Sequence, residues 1–171
     1  MKRTSDSILP GTLDASSAAI TLFLSIAFSL LGIWISKEYI YLFPAIFGIA
    51  IPIANWNKLE KGYRIHKLIL SVIASIVLFH VAIFLSSSWF MMYTVAVVNG
   101  LILLLIYSFL IEHLDPSPIT YITTAILCLL ALHFGLNTTK SGPSDPEPIY
   151  IFIFWTFSFT AGLVTGLRRT R

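Results

Sequence analysis

The sequence predicts an all-α integral membrane protein, a bundle of about six transmembrane helices with both termini in the cytoplasm. Hydrophobic residues make up 57% of the 171 residues and charged residues only 11%, whereas a soluble domain carries about 25% charged residues. The apolar residues also come in long runs and lack the alternation at 3.6 or 2.0 residues that marks water-facing helices and strands. A soluble fold of this size would leave large apolar patches exposed, so the composition excludes that class.

Six apolar runs define the predicted spans, at about 17–36, 39–55, 67–87, 89–111, 118–136 and 149–167. Each approaches the roughly 20 residues that a helix needs to cross about 30 Å of hydrocarbon. Helices are favoured because lipid cannot satisfy free backbone polar groups. Asp14 precedes the first run and is expected to cap its helix. No small-residue cleavage site of a signal peptide follows that run, so we expect it to be retained.

The basic residues predict the orientation of these spans. If the first span begins inside, the inside segments hold nine of the eleven lysines and arginines, namely Lys2, Arg3, Lys58, Lys61, Arg64, Lys67, Arg168, Arg169 and Arg171. Only Lys37 and Lys140 fall outside, a positive-inside pattern that predicts an even number of spans. We therefore expect a cytoplasmic segment at 1–16, a transmembrane domain at 17–167 and a basic cytoplasmic tail at 168–171. The membrane expected is the inner membrane of a bacterium.

The second and fourth spans contain residues that are uncommon in the middle of a helix. Pro44 and Pro52 interrupt the second span, with Gly48 between them. Proline tends to kink a helix, and broken membrane helices often line binding sites or cavities, although a simple kink is the plainer interpretation. Asn99 lies near the middle of the fourth span, where we expect its amide to form a hydrogen bond to another helix.

Small residues recur at helical spacing on one face of three predicted helices. They are Ser25, Ser29, Gly32 and Ser36 on the first span, Thr124, Cys128, Ala131 and Gly135 on the fifth, and Ser158, Gly162 and Gly166 on the sixth. Small residues let two membrane helices approach closely. These faces predict a tight bundle within one chain, and the sixth span also suggests a homo-oligomer.

One polar cluster and one cysteine are the remaining candidates for a metal site or a catalytic site. Glu112, His113 and Asp115 follow the fourth span and, with His66, have the residue types of a metal site or an acid–base pair. Their spacing matches no helical ligand motif such as HExxH. A nucleophile elbow, a phosphate-binding glycine loop and paired intramembrane carboxylates are all absent from the sequence. Cys128 is the single cysteine, which excludes an intramolecular disulfide.

The four histidines suggest a cofactor. His66 and His80 are 14 residues apart, which places them on nearly the same helix face, about 21 Å apart along the axis. This arrangement resembles the membrane b-type cytochromes, in which one helix presents two histidines to two stacked haems. The resemblance implies haem b, with His113 as partner for His66 and His133 as partner for His80. It departs from the family at position 119, which holds Ile119 where a second histidine of the fifth span would be expected. Hydrogen bonding or proton sensing is the alternative role for these side chains.

The sequence therefore favours a small polytopic inner-membrane protein without a catalytic motif. A compact transporter or an accessory subunit of a larger membrane complex is the leading interpretation. A haem b electron-transfer protein is the alternative, and a membrane enzyme that uses Glu112, His113 and Asp115 is the third. The expected partners are the lipid bilayer and either a second copy of the chain or a larger complex. Nucleic acid is not an expected partner, because the basic residues lie at the ends of apolar runs.

Overall fold

The structure, a computed structural model, describes residues 13–36, 42–85, 88–115, 117–138 and 148–168. These residues form six helices, α1 (Ala15–Ser36), α2 (Phe43–Ala54), α3 (Arg64–Leu85), α4 (Trp89–Leu110), α5 (Pro118–Thr138) and α6 (Pro148–Val164), with a short 3-10 helix at Trp56–Lys58. The all-helical class predicted from the sequence is confirmed for this part of the chain. The predicted termini at 1–12 and 169–171, and residues 39–41 of the predicted second span, lie outside the described residues.

Four of the helices, α1, α3, α4 and α5, contain a stretch long and apolar enough to cross a membrane. The other two are apolar but shorter. The 12 residues of α2 and the 17 residues of α6 correspond to about 18 Å and about 26 Å at 1.5 Å per residue. Both fall below the roughly 30 Å of a hydrocarbon core. The structure thus supports a membrane protein with four candidate spans among its six described helices.

The helices pack as a closed ring in which each contacts its neighbours in sequence and α6 contacts α1. Aromatic side chains from alternate helices meet in the middle of this ring. The ring centroid of Phe159 lies 5.9 Å from that of Phe47, 6.1 Å from that of Tyr107 and 5.5 Å from that of Trp155. The centre of the bundle is therefore filled by stacked and edge-on aromatic rings. Large apolar side chains on the outer faces, such as Phe84, are exposed toward the expected lipid.

The ends of four chain segments are joined at one end of the bundle. We call this the basic end; it comprises residues 13–14, 55–63, 111–115 and 165–168. Short antiparallel bridges pair Leu13 with Arg168 and Leu114 with Leu167. The beginning of α1 and the end of α6 therefore lie side by side.

The two prolines of α2 lie at its ends, and the helix is continuous between them. Pro44 is in the first turn, where its missing N–H would have no partner within the helix. Pro52 is in the last turn, two residues before the helix ends at Ala54. The sequence suggested that the prolines interrupt this helix. Instead, they lie near its two ends and limit its length. The predicted sixth span is also shortened, since α6 ends at Val164 and residues 165–166 form a turn.

Candidate functional site

A line of buried polar side chains runs between α1, α2 and α6. Thr21, Ser25 and Ser29 lie one helical turn apart on α1, and none is more than 6% exposed. The side-chain amide of Asn55, at the end of α2, donates to Thr21 Oγ1 at 3.0 Å, and the Ser29 hydroxyl lies 3.2 Å from Thr156 Oγ1 on α6. We call these five residues the polar track. It extends about 12 Å along α1 and contains hydroxyl and amide groups only.

Local hydrogen bonds explain how these polar groups fit into helices. The Thr21 hydroxyl donates to the carbonyl oxygen of Ser17 at 2.6 Å, and that of Thr156 donates to Ile153 at 3.1 Å. Such bonds satisfy a hydroxyl within its own helix. Asn55 is the C-cap residue of α2 and its amide nitrogen also donates to the carbonyl of Ile51 at 3.0 Å. The end of α2 therefore positions the amide against α1.

Two atoms of the polar track have no hydrogen-bond partner among the described residues. They are the hydroxyl of Ser25 and the side-chain carbonyl oxygen of Asn55, in residues that are 1% and 2% exposed. A buried polar group without a partner costs about 1–3 kcal/mol. Most such groups in folded proteins are paired, so each exception calls for an explanation. Both atoms could bind a ligand that donates a hydrogen bond.

A second buried polar group lies on the other side of α2, against α3 and α4. The Ser71 hydroxyl donates to the carbonyl oxygen of Gly48 at 2.7 Å and lies 2.8 Å from the Tyr107 hydroxyl. A hydroxyl has one hydrogen, so Tyr107 is the donor to Ser71. A Cβ atom at Gly48 would lie 2.7 Å from the Cα of Val72. Glycine is therefore required for the close contact between α2 and α3.

An ion pair closes the polar track at the basic end. Lys58 Nζ lies 2.8 Å from Asp14 Oδ2, and the two side chains are 9% and 13% exposed. Lys58 also donates to the carbonyl oxygen of Arg168 at 3.3 Å. The backbone N–H of Ser17 donates to Asp14 Oδ1 at 3.1 Å, which confirms the predicted N-cap. The Lys58 ammonium, followed by the backbone amide of Ser17 and the hydroxyl of Ser16, holds the pKa of Asp14 well below its ordinary value.

The Glu112, His113 and Asp115 segment joins the basic end through its backbone. The N–H of Glu112 donates to the carbonyl oxygen of Lys58, and that of Asp115 to Gly166, both at 2.9 Å. His113 has a φ of 64°, a left-handed conformation that is uncommon outside glycine. All three side chains are exposed. Within the described ranges, no group of three or more histidine, cysteine and acidic residues could hold a metal ion.

The outer pair of histidines, His80 and His133, faces outward on two different helices. Both side chains are exposed. His80 Nδ1 lies 2.8 Å from the carbonyl oxygen of Ile76 on its own helix, and His133 Nδ1 lies 3.4 Å from the Tyr93 hydroxyl on α4. Because α4 lies between α3 and α5 in the ring, one haem shared by both histidines would have to extend across the outer face of α4.

The inner pair of histidines, His66 and His113, is also exposed. The His66 ring makes an edge contact with Tyr63, with 6.2 Å between the ring centroids, and His113 is in the loop after α4. The four histidines therefore have different neighbours. Haem b remains a prediction, and the absorption spectrum of purified protein from haem-supplemented cells would test it.

The remaining residues singled out in the sequence serve packing within the chain. The Asn99 amide donates to the carbonyl oxygen of Leu78 at 3.0 Å, which confirms the predicted bond between α4 and α3. A Cβ atom at Gly162 would lie 2.6 Å from the Cα of Thr124 on α5, and one at Gly166 would lie 2.9 Å from a backbone oxygen of the α4–α5 loop. Both glycines thus allow contacts inside one chain, and the homo-oligomer predicted through the sixth span remains a prediction.

Sequence reasoning treated Ser25 and Ser29 as packing residues and did not single out Asn55. Two features of the sequence could have indicated the polar track. They are the hydroxyl side chains at every fourth position of α1 and the amide that directly follows the helix between the two prolines.

Comparison of the chain with protein-family models, curated proteins and solved structures finds no match in any of the three. The polar track is therefore the feature of the described residues from which a function can be inferred.

Proposed function

We propose that the protein is a compact transporter that moves a small uncharged solute along the polar track, in the inner membrane of a bacterium. The observation that carries this proposal is the pair of unpartnered atoms, Ser25 Oγ and Asn55 Oδ1, in the interior of an apolar bundle. A solute with hydrogen-bond donors would satisfy both atoms. The two unpaired atoms lower the stability of the fold, and a role in solute binding would explain why they are present.

The chemistry of the track favours an uncharged solute. The residues of the polar track are hydroxyls and an amide, and the nearest charges, Asp14 and Lys58, are paired with each other. An ion placed among these groups would have no counter-charge, and burying an unpaired ion is far more costly than burying a neutral polar group. Small alcohols and amides match the hydrogen-bonding groups without this penalty.

Transport would require the bundle to move, because the track is closed toward the centre of the bundle and at the basic end. The aromatic rings of Phe47, Trp155 and Phe159 fill the centre of the bundle next to α1. At the basic end, the ion pair between Asp14 and Lys58 holds the beginning of α1 against the segment after α2. Access from this end would therefore need α1 to separate from that segment, a motion that also breaks the hydrogen bond of Asn55 to Thr21.

The experiment is a flux measurement with purified protein in liposomes. Stopped-flow light scattering would follow the entry of glycerol and urea, and ion-sensitive dyes would follow potassium and chloride. We expect the uncharged solutes to enter faster than in empty liposomes, and Ser25→Ala to lower the flux by about fivefold, the equivalent of one lost hydrogen bond. Ser108→Ala is the matched control, because that hydroxyl bonds to Leu105 of its own helix on α4.

Three results would contradict the proposal. Solute entry equal to that of empty liposomes would favour the accessory-subunit interpretation. Flux of ions without flux of glycerol or urea would exclude the uncharged class. Equal loss of flux in Ser25→Ala and Ser108→Ala would move the path away from the polar track.

A further inference from the structure

Two cations at the basic end and the start of α3 have no carboxylate partner among the described residues. Five lysines and arginines are described at this end and at the start of α3, and three of them have carboxylate partners, in the pairs Lys58–Asp14 at 2.8 Å, Lys67–Glu60 at 3.6 Å and Arg168–Asp115 at 3.8 Å. Neither Lys61 nor Arg64 has a carboxylate within 4.0 Å among the described residues. Two cations three positions apart thus remain available to an external anion.

Arg64 is held in place by two contacts. Its Nε donates to the carbonyl oxygen of Leu59 at 3.2 Å, and its guanidinium carbon lies 5.6 Å from the centre of the Trp56 ring. A guanidinium positioned in this way loses less conformational freedom when it binds a planar or tetrahedral anion. Lys61 is exposed beside it, and a Cβ atom at Gly62, between the two cations, would meet no atom within 4 Å.

The direction of α3 adds to the positive potential at this point. The helix begins at Arg64 and has no acidic residue in its first turn. A helix N-terminus carries a partial positive charge and normally favours acidic side chains nearby. Here Arg64 and Lys67 take those positions, and the carboxylate of Glu60, just before the helix, pairs with Lys67 and not with Arg64. Phosphate groups are common ligands of such N-termini.

The surroundings place this surface at the depth of lipid headgroups. Tyr63 is 56% exposed, and Ile65 and Ile69, one helical turn apart on α3, are 65% and 51% exposed. Apolar side chains that face outward from a candidate span contact lipid tails, and aromatic residues are enriched at the membrane–water interface. These exposed apolar neighbours favour the anionic headgroup of a lipid over a free ion as the ligand.

We infer that Lys61 and Arg64, at the start of α3, bind the phosphate headgroup of an anionic phospholipid. Clusters of basic residues directly beside a membrane span attract anionic lipids in this way. Lys58 is not part of the surface, because it is buried and occupied by Asp14. This inference is independent of the proposed transport and concerns a different face of the molecule.

The test compares the lipids that the purified protein retains. The protein would be extracted from bilayers with equal amounts of phosphatidylglycerol and phosphatidylcholine, and its bound lipids counted by native mass spectrometry. We expect the unaltered chain to prefer phosphatidylglycerol by at least about fivefold, and Lys61→Gln with Arg64→Gln to remove the preference. Lys37→Gln with Lys140→Gln is the matched control, since it removes the same charge from the loops predicted on the opposite side.

The lipid preference of the unaltered chain can also be measured at two salt concentrations. This second measurement needs no variant and so does not depend on whether a variant folds. Raising the salt concentration from about 0.1 M to 1 M shortens the Debye length from about 10 Å to 3 Å, so we expect the preference to decrease. A preference that both double variants keep would overturn the inference. Equal retention of the two lipids by the unaltered chain would also overturn it and would leave an acidic protein segment as the partner of this surface.

Discussion

The basic end and the polar track differ in the kind of partner that their buried polar groups have. At the basic end, Lys58 is bound by both Asp14 and the carbonyl oxygen of Arg168, and backbone hydrogen bonds connect loops that are distant in sequence. In the polar track, Ser25 and the carbonyl oxygen of Asn55 have no partner within the described ranges. Arg168 Nε at the basic end also lacks a hydrogen-bond partner among the described residues, but it lies 3.8 Å from the Asp115 carboxylate. The basic end thus contains opposite charges that attract one another across distant parts of the sequence, whereas the polar track contains neutral groups only. Incompletely paired polar groups are costly to a fold.

The largest effect is expected from breaking the ion pair at the basic end. Lys58→Met leaves the Asp14 carboxylate without its cation in a site where both side chains are mostly buried. Loss of one partner of a buried pair costs about 3 kcal/mol or more. We therefore expect the free energy of unfolding to fall by about that amount, measured by thermal or denaturant unfolding in detergent.

The control for this change is Lys61→Gln, which removes an exposed cation of the same basic end and is expected to change stability by less than about 0.5 kcal/mol. The double variant of Asp14→Asn with Lys58→Met should be more stable than Lys58→Met alone, because no charge is left unpaired. Equal stability of Lys58→Met and Lys61→Gln would show that the basic end is not held by this pair.

A smaller effect is expected from acidification. The pKa of Asp14 is lower in the folded protein than its ordinary value of 3.8, so the folded state binds this proton less tightly than the unfolded state. The carboxylate therefore contributes stability above about pH 4, and this contribution is lost as the pH falls further. We expect a loss of about 1 kcal/mol between pH 5 and pH 3 that is absent in Asp14→Asn. Parallel pH profiles for the two proteins would contradict the assignment.

The smallest effect, and one of opposite sign, is expected in the polar track. Ser25→Ala removes a buried hydroxyl that has no partner among the described residues, so the variant should be as stable as the unaltered chain or more stable by about 0.5 kcal/mol. Thr21→Val, which removes the acceptor of the Asn55 amide, should be destabilising by about 1 kcal/mol. If unfolding experiments show the reverse order, Ser25 has a structural partner and the contrast with the basic end is lost.

Hydropathy and local capping rules predicted most of the helices. The start of α1 after Asp14 and the cross-helix bond of Asn99 follow from the high cost of unsatisfied polar groups in an apolar medium. The length of α2 was not predicted, since proline at a helix start and proline within a helix look alike in a run of apolar residues. Nor was the contact between Asp14 and Lys58, because hydropathy describes each span separately and gives no order of helices in the bundle.

The histidines show a further limit of sequence reasoning in membranes. Spacing along the helices placed His80 and His133 well inside their spans, but their rotation about the helix axis was not available. In a soluble helix the polar face indicates that rotation, whereas a membrane helix is apolar on the face toward lipid and on much of the face toward its neighbours. The exposure of both side chains is therefore visible only once the helices are packed.

The closure of the ring by α1 and α6 has a consequence for biosynthesis. Helix α1 is synthesised before α6, yet Thr156, the partner of Ser29, belongs to α6. Until α6 is inserted, the hydroxyls of α1 cannot form their final contacts and Leu13 has no strand partner in Arg168. Contacts between residues this distant in sequence form late in folding. We therefore expect the hydroxyls of α1 to lack their final partners until α6 has been translated and the bundle can close.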